Sequence, residues 1–287
     1  MGFRTEEEKK RFRRILLPLL LAVFLIWMAW GNMTVGATRM TVTSSQLPEG
    51  FTGFRIVQIS DFHNAHFGRD NHDLAALIAK QNPDLIAVTG DLVDARKTDI
   101  EKSVSFVHQL VSIAPVYYVT GNHEAWIRER YPELEKRLIE EGVNVLHDEA
   151  VLLERGEDVL QIAGLDDPDF TDTDRFLQPA VLQVKLARMQ LTDDYTVLLS
   201  HRPEAFNAYV SAGIDLVLSG HAHGGQFRLP FVGGLVAPNQ GLFPEYDSGL
   251  FREGDTAMVV NRGIGESIIP IRFNNRPEIV VIDLARP

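Results

Sequence analysis

The sequence predicts an α/β domain behind a single apolar N-terminal helix, and three observations support this prediction. Downstream of residue 54, short apolar, β-branched runs alternate with stretches whose apolar residues recur at helical spacing, which is typical of buried neighbouring strands. Ahead of these runs lies one long uncharged apolar stretch, residues 15–30. The chain has 287 residues, 45% of them hydrophobic, which is enough to bury a substantial core.

The N-terminal segment predicts a membrane helix. Residues 15–30 form an uncharged apolar run of 16 residues, and the next seven residues to Ala37 are also uncharged. At about 1.5 Å per residue, a helix over 15–37 spans roughly 35 Å, which is enough to cross a bilayer. Basic residues concentrate in 1–14, which predicts that this end stays in the cytoplasm and that the rest of the chain lies outside it. A cleaved signal peptide and a buried or peripheral helix are the alternatives.

The charge balance narrows the possible partners. The chain carries 28 Lys and Arg against 39 Asp and Glu, a net charge of −11. Residues 1–30 hold six of the basic and three of the acidic residues, so the remainder has 22 against 36, or −14. We therefore expect no nucleic-acid partner, because such binding needs a basic face. An anionic substrate is not excluded, since bound metal ions can reverse the local charge.

The absence of cysteine from the chain narrows the chemistry. Disulfides, thiolate zinc sites and cysteine nucleophiles are all excluded.

Strands and helices alternate after a short polar lead-in, residues 38–53. Residues 55–60 read RIVQIS, a short apolar, β-branched run that predicts a buried strand. Asn82-Pro83 ends the helix that follows, because the residue before a proline disfavours helical backbone. The predicted elements of this half are strands at 55–60, 84–90 and 116–121 and helices at 70–81, 99–113 and 131–141.

The second half repeats the alternation and then changes to strands alone. Its predicted strands are 159–164, 196–200 and 215–220, and its predicted helices are 179–191 and 203–213. The tail adds strands at 257–263 and 278–284 without helices between them. We see no internal repeat, so residues 54–287 are interpreted as one domain.

Side chains that can bind a metal follow five of the predicted strands. In an open α/β sheet the carboxyl ends of the strands meet at one crevice, so these side chains should converge. Glycines at 90, 121 and 220 allow tight turns that direct the next side chain into the site. One such group would be weak evidence, but five in succession predict a dinuclear metal site. The groups are Asp61-Phe62-His63, Gly90-Asp91-Leu92-Val93-Asp94, Gly121-Asn122-His123-Glu124, Ser200-His201 and Gly220-His221-Ala222-His223.

In combination these groups resemble the full signature of the calcineurin-like metallophosphoesterase family. The resemblance covers roughly residues 54–284, and the tail segments 239–251 and 270–279 further resemble the membrane-anchored or exported bacterial branch. It implies a four-layer α/β/β/α sandwich, here preceded by the N-terminal membrane helix. Ala222 stands where relatives often have Thr, but that side chain is not a ligand in the family.

The resemblance also implies two metal ions and a set of ligands for each. The first set is Asp61, His63, Asp91 and His223, and the second is Asp91, Asn122, His201 and His221. A carboxylate shared by two cations about 3.5–4 Å apart reduces their repulsion. Oxygen and nitrogen ligands without sulfur suit Mn²⁺, Fe or Zn²⁺, of which we favour Mn²⁺. Water between the ions would be acidified to hydroxide and would attack phosphorus in line.

His123 is the predicted catalytic residue, next to a ligand without being one. In the family this position contacts the phosphoryl group or protonates the leaving oxygen, a task that suits histidine because it exchanges a proton near neutral pH. Alternatively it only orients a ligand. Asp94 and Glu124 are expected to fix histidine tautomers.

Two further residues are weaker candidates for substrate binding. His66 lies in the loop after the first group, and Arg202 either touches a phosphate or caps the next helix. Arg262 and Arg272 are weaker still. Phe227, Phe231 and Phe243 follow the last group, and we expect them to pack in the core rather than to present apolar surface to a lipid.

The leading hypothesis is a hydrolase of phosphodiesters or of lipid-linked phosphates or pyrophosphates, anchored in the cell membrane with its site outside the cytoplasm. The alternative is a non-catalytic metal-binding scaffold of the same fold. Such proteins usually lose a ligand or the residue at the His123 position, and here every position is filled. A metallo-β-lactamase-type hydrolase would need His-x-His-x-Asp-His, which is absent.

Overall fold

The computed structural model describes residues 5–171, 173–266 and 269–287. The α-helices within these ranges are α1 (Glu6–Met33), α2 (His72–Ala79), α3 (Ile100–Val111), α4 (Asn122–Trp126), α5 (Tyr131–Glu140), α6 (Gln178–Arg188) and α7 (Phe206–Ser211). Strands and helices alternate from Arg55 to Val119 and again from Asp158 to Ser219, as the apolar periodicity predicted.

Most of the strands belong to two six-stranded sheets. The strands are β1 (Gly36–Thr43), β2 (Arg55–Ile59), β3 (Leu85–Thr89), β4 (Val116–Val119), β5 (Asn144–Val145), β6 (Glu149–Arg155), β7 (Asp158–Gly164), β8 (Thr196–Leu199), β9 (Leu216–Ser219), β10 (Arg228–Leu229), β11 (Gly233–Gly234), β12 (Val236–Ala237), β13 (Gly241–Leu242), β14 (Gly249–Glu253), β15 (Thr256–Val260) and β16 (Glu278–Ala285). The first sheet has the order β1-β16-β2-β3-β4-β5 and the second β14-β15-β9-β8-β7-β6. Two two-stranded hairpins, β10-β11 and β12-β13, lie outside them.

Parallel strands form the centre of both sheets. In the first sheet β2, β3, β4 and β5 run parallel, and β16 joins β2 antiparallel. In the second sheet β15, β9, β8 and β7 run parallel, with antiparallel β14 and β6 at the two edges. Their carboxyl ends therefore lie along one edge of each sheet, as the predicted convergence of the ligands requires.

Three apolar clusters separate four layers, because alternate residues of a strand face opposite sides of its sheet. Val57 and Ile59 pack against α2, α3 and α5 on the outer face of the first sheet. Ile56 faces the other way, into a cluster shared with strands of the second sheet. On the outer face of the second sheet, Leu198 and its neighbours pack against α6 and α7. The predicted α/β/β/α sandwich is confirmed.

Helix α1 projects from this sandwich. It is the one helix in the described part of the chain that is long and apolar enough to cross a membrane, and none of its most apolar window is buried. Its C-terminal end is fastened to the domain: Asn32 Nδ2 donates to the Arg272 carbonyl at 2.9 Å, and Arg272 N donates back to Asn32 Oδ1 at 2.8 Å. The Arg276 guanidinium also lies 4.5 Å from the centre of the Trp30 ring.

The N-terminal elements differ from their predicted bounds. The helix occupies Glu6–Met33 rather than 15–37, because the charged residues before the apolar run are also good helix formers. Part of the predicted lead-in is strand β1, which pairs with β16 at the edge of the first sheet. Its sequence is polar because most of its side chains are exposed or only half-buried, so periodicity gave little sign of a strand. The division of the chain into domains stays a prediction.

Candidate metal centre

The predicted ligands come just after the ends of strands, and five of them have a strained backbone conformation. Asp61 and His63 after β2, Asp91 after β3, and His221 and His223 after β9 all have positive φ, between 46° and 65°. Each left-handed non-glycine residue costs roughly 1 kcal/mol. Five such residues at one edge of the fold mark a place where the surrounding packing enforces the direction of the side chains.

The glycines at positions 90, 121 and 220 allow the two sheets to approach each other at this edge. Gly90 has φ of +87°, and a Cβ on it would lie 2.6 Å from His201 Nδ1, which belongs to the second sheet. A Cβ on Gly220 would overlap the Ser60 hydroxyl, and one on Gly121 would overlap the Asp91 carboxylate. Each glycine is therefore required by close approach of another chain segment.

The first group of candidate ligands lies around two buried carboxylates. Asp61, His63, Asp91 and His223 each offer a ligand atom, and these atoms all lie within 4.8 Å of one another. His223 Nε2 is 3.2 Å from Asp61 Oδ1, and His63 Nε2 is 3.5 Å from Asp91 Oδ2. The two imidazole Nε2 atoms are 3.3 Å apart. All four residues are buried.

The second group shares Asp91 with the first. Asp91, His201 and His221 also offer ligand atoms within 4.8 Å of one another. His201 Nε2 lies 3.3 Å from Asp91 Oδ2 and 3.1 Å from His221 Nδ1. Asn122 begins α4 beside Asp91, and its buried Oδ1 accepts no hydrogen bond from any described residue. Because this oxygen accepts no hydrogen bond, its lone pairs are available to coordinate a cation.

Burial sets the protonation of the imidazoles. It lowers the pKa of His63 to about 3 and holds the pKa values of His221 and His223 well below their ordinary value, so these rings are neutral. Burial also raises the pKa of Asp61 to about 6. For His201 burial is outweighed by the Asp91 carboxylate, which raises the pKa to about 10. Three of these four rings are thus neutral, and His201 would release its proton on binding an ion. Neutral imidazoles with a shared carboxylate are the donors that divalent transition metals bind, so the residues fit such ions.

His123 lies at the rim of these groups. Its backbone N–H donates to Asp91 Oδ1 at 2.8 Å, and its ring centre is 4.4 Å from that of His63. Its Nδ1 accepts a hydrogen bond from Ala95 N at 2.9 Å, so the neutral ring carries its proton on Nε2. Trp126, whose ring centre lies 4.9 Å away, packs against it. The ring is therefore oriented with a donor left for another group.

Glu124 holds two of the ligand-bearing turns together. Its buried carboxylate accepts from the backbone N–H groups of Asp91 and Leu92, both at 2.8 Å, and of Gly121 at 2.7 Å. We expected Glu124 to fix a histidine tautomer, but it fixes backbone turns instead. Asp94 lies within 4.8 Å of the candidate atoms of His63 and His123, and it also binds Arg96 Nη2 at 3.0 Å.

The structure places the two weaker candidates differently. His66 is exposed and lines a cleft of about 930 Å³ that reaches His63. Arg202 is only 2% exposed and is held by Asp167 through two hydrogen bonds of 2.6 and 2.7 Å. Its Nη1 lies 2.9 Å from His221 Nε2. Its guanidinium thus contacts protein partners beside the metal groups rather than the open cleft.

Sequence reasoning missed two supporting residues, Asp167 and Asn275, and gave a third, Arg272, a different role as a weak candidate for substrate binding. Asp167 clamps Arg202, and Asn275 Nδ2 donates to the His223 carbonyl at 2.7 Å. Arg272 donates to the Gly265 carbonyl at 2.7 Å, and its Nη2 lies 3.3 Å from His223 Nδ1. Asp167 follows strand β7 as the ligands follow theirs, which was the available signal. Asn275 comes from the tail, where no periodicity singled it out.

Three phenylalanines after the last group do not form a core. Phe231 is 109% exposed and Phe243 66% exposed, while Phe227 is half-buried. The expectation of core packing was wrong for Phe231 and Phe243, because their short hairpins lie outside the two six-stranded sheets. Periodicity cannot detect this, since the segment has too few residues in regular structure.

The fold and the buried carboxylate–imidazole groups define a metal-dependent hydrolase. Residues 54–225 match the calcineurin-like phosphoesterase family. The metallophosphoesterase YkuE of Bacillus subtilis (strain 168) is 32% identical over 264 residues, which cover 87% of this chain and 85% of the relative. Phosphodiesterase YaeI of Escherichia coli (strain K12) is 28% identical over 240 residues, 80% of this chain and 82% of the relative.

A third relative carries a membrane designation in its name. A transmembrane protein with metallophosphoesterase domain from Danio rerio is 30% identical over 247 residues, 83% of this chain and 55% of the relative. This chain belongs to the calcineurin-like phosphoesterase family. It is a metallophosphoesterase, that is, a hydrolase.

Proposed function

We propose that the protein hydrolyses phosphodiesters or lipid-linked phosphates with two divalent metal ions, the predicted Mn²⁺ being favoured and Fe or Zn²⁺ possible alternatives. The observation that carries the proposal is Asp91, whose carboxylate belongs to both groups of candidate ligands. Asp61, His63, Asp91 and His223 would hold one ion, and Asp91, Asn122, His201 and His221 the other. Bound there, the ions would supply a nucleophile at neutral pH and neutralise charge on the phosphoryl oxygens.

His123 would donate its Nε2 proton to a phosphoryl or leaving-group oxygen. The Ala95 N–H on Nδ1 supports this role, because it keeps the proton on Nε2. A positioned acid of this kind contributes typically about 10²–10⁴-fold to a rate.

The walls of the cleft support an amphipathic, anionic substrate. Arg96, Lys97 and Lys102 line one part of it, and Met33, Ile269 and Pro270 line another. Asp94, Asp99 and Glu266 also line the cleft, so the cations balance these charges and a phosphoester beside the metal groups would have both cationic and apolar groups within the same cleft. Met33 is the last residue of α1, so the cleft opens beside the end of the apolar helix. This position favours a substrate at the membrane, with the domain outside the cytoplasm because the basic residues precede the helix.

The test uses the full chain in detergent, stripped of metal by chelation and titrated with Mn²⁺. We expect hydrolysis of bis-p-nitrophenyl phosphate that depends on Mn²⁺ and is lost in Asp91→Ala. His123→Ala should bind both metals and lose turnover, whereas Trp126→Phe, which keeps an aromatic ring beside His123, is the matched control. Two bound metals per chain without turnover on this substrate or on lipid pyrophosphates would contradict the proposal and favour a scaffold.

A further inference from the structure

One apolar segment has no role in the site described above. Residues 229–243, LPFVGGLVAPNQGLF, contain no charged residue, although the chain beyond residue 30 has a net charge of −14 (22 basic and 36 acidic). We call this segment the apolar loop. It consists of the hairpins β10-β11 and β12-β13 and their connections, and the Phe243 N–H donates to the Leu235 carbonyl at 2.9 Å, so the two hairpins form one unit.

The apolar loop presents its large side chains to the outside. Phe231 is 109% exposed, Leu242 74% and Phe243 66%, and Leu229 and Val232 are exposed as well. Isolated exposed apolar residues are ordinary, but a contiguous group of this kind marks a surface that contacts something apolar.

The backbone of the apolar loop adds an independent observation. Phe231 has φ of +68° and Phe243 has φ of +55°. Phe231 follows Pro230, and Val232 N donates to the Leu229 carbonyl at 3.2 Å across the turn. Phe231 therefore occupies the turn position where glycine or asparagine is favoured. Both phenylalanines therefore stand where local geometry and solvation each disfavour them, a conflict typical of functional surfaces.

Arg228, the residue that precedes the apolar loop, is joined to helix α1 through Phe273 of the tail. Arg228 N donates to the Phe273 carbonyl at 2.9 Å. The Phe273 ring centre lies 5.6 Å from that of Trp27 and 6.5 Å from that of Phe24. Phe24 precedes Met33, the end of the helix, by nine residues, or about 13 Å of helical rise. The contact is therefore made well within the apolar part of α1.

We propose that the apolar loop is a second membrane contact, which inserts Phe231, Leu242 and Phe243 into the same leaflet that α1 enters. The continuity with α1 identifies the occupant as lipid: a bilayer that surrounds Phe24 and Trp27 reaches Phe273, which packs against them and binds Arg228 at the start of the apolar loop. Apolar side chains at the acyl boundary with a short uncharged turn are typical of such contacts. Nearby Arg228 is held by Asp247 at 2.9 Å and keeps its charge on the protein side.

This contact would also orient the cleft. Gln226 Nε2 donates to the carbonyls of Ile269 and Ile271, both at 2.7 Å. Ile269 lines the cleft together with Met33. The apolar loop, the cleft wall and the end of α1 thus form one connected surface, so docking the loop on lipid turns the mouth of the cleft toward the bilayer.

The absence of cysteine allows a direct test with single labels. Phe231→Cys and Leu242→Cys in the full chain are labelled with an environment-sensitive fluorophore and reconstituted into vesicles of equal parts phosphatidylcholine and phosphatidylglycerol. We expect blue-shifted emission and strong quenching by spin labels on the lipid acyl chains. The emission should be severalfold brighter than that of the label-bearing peptide after its proteolytic release into detergent-free buffer. The matched control is Leu152→Cys, an exposed apolar position on edge strand β6.

Three outcomes are decisive. Quenching by acyl-chain spin labels at 231 and 242 but not at 152 supports the proposal. Emission at 231 equal to that at 152 overturns it. Bright emission that acyl-chain spin labels do not quench also overturns it, because the loop would then be covered by protein, such as a second copy.

A pair of substitutions separates docking from hydrolysis. Phe231→Asp should reduce quenching of the label at 242 severalfold, whereas Phe231→Leu should preserve it. Neither should change turnover of the water-soluble diester, because Phe231 lies outside the metal groups. Unchanged quenching in Phe231→Asp contradicts the proposal, whatever the enzyme activity.

Discussion

The two sheets contribute different chemistry to the candidate metal centre. Of the candidate ligands, the first sheet supplies the oxygen donors Asp61, Asp91 and Asn122 together with His63, and the second sheet supplies the imidazoles His201, His221 and His223. Two of the three imidazoles from the second sheet have an arginine beside one ring nitrogen. Arg202 lies beside Nε2 of His221, and Arg272 lies beside Nδ1 of His223.

This difference shows how one site can combine negatively charged oxygen donors with neutral nitrogen donors. Burial, aided by the neighbouring guanidinium, lowers the pKa of His221. For His223, burial, His63 and Arg272 act in the same direction. The arginines therefore disfavour imidazolium at His221 and His223, while the carboxylates of the first sheet would neutralise the metal ions. We expect substitutions in the first sheet to act on metal charge and those in the second to act on ligand geometry and folding.

The largest effect is expected from Asp91→Asn, which removes the charge that both groups share. Substitutions of residues one step away from a metal typically cost about 10–100-fold in affinity, so losing this carboxylate should exceed that range. Metal content by mass spectrometry and turnover should fall together. Retention of two ions per chain would mean that Asp91 does not join the two groups.

Arg202→Met tests the second sheet. It leaves the buried Asp167 carboxylate unpaired, and breaking a buried pair typically destabilises a protein by about 3–5 kcal/mol. Chemical denaturation of the full chain in detergent measures the loss. The double variant Arg202→Met with Asp167→Leu should recover most of the stability but not metal affinity, since His221 still lacks its partner. Full recovery of both would restrict Arg202 to a folding role.

Glu124→Gln should give a smaller effect within the first sheet. The amide would turn a donor toward the backbone N–H groups of Asp91, Leu92 or Gly121, and an unsatisfied buried group costs about 1–3 kcal/mol. Because those N–H groups belong to ligand-bearing turns, metal affinity should fall by about 10–100-fold. Calorimetric metal titration checks this, and an unchanged affinity would show that the turns hold without Glu124.

The smallest effect is expected at His147, which lies between β5 of the first sheet and β6 of the second sheet. Its Nδ1 lies 2.9 Å from Asp166 and its Nε2 3.1 Å from Glu135. The hydrogen bond to Asp166, which outweighs the opposing effect of burial, raises the pKa of His147 to about 9. Its contribution to stability is full below the ordinary value of 6.5 and disappears as pH rises through 9.

The ring of His147 is 36% exposed, so solvent screening limits this contribution to about 1 kcal/mol. Between pH 6 and pH 10, the free energy of unfolding of the wild type should therefore fall by more than that of His147→Gln. Parallel pH profiles for the two proteins would contradict this assignment.

Much of the centre could be predicted because its signal is local. Each ligand-bearing turn follows an apolar strand directly, as Asp61 follows β2 and His221 follows β9, so element and ligand appear in one short stretch. Strand β1 could not be found in this way, because it owes its place to pairing with β16, more than two hundred residues away. The burial of Arg202 likewise depends on Asp167, which lies on a different segment.

The sequence by itself determined the class of fold, the apolar helix and the set of candidate ligands. Period, strand-end chemistry and composition are properties of neighbouring residues, and they hold before the chain folds. The tertiary structure alone decided that arginines stand behind His221 and His223 and that Phe231 and Phe243 are exposed. These depend on which distant segments meet, and so on packing between the sheets, the tail and α1 rather than on any local pattern.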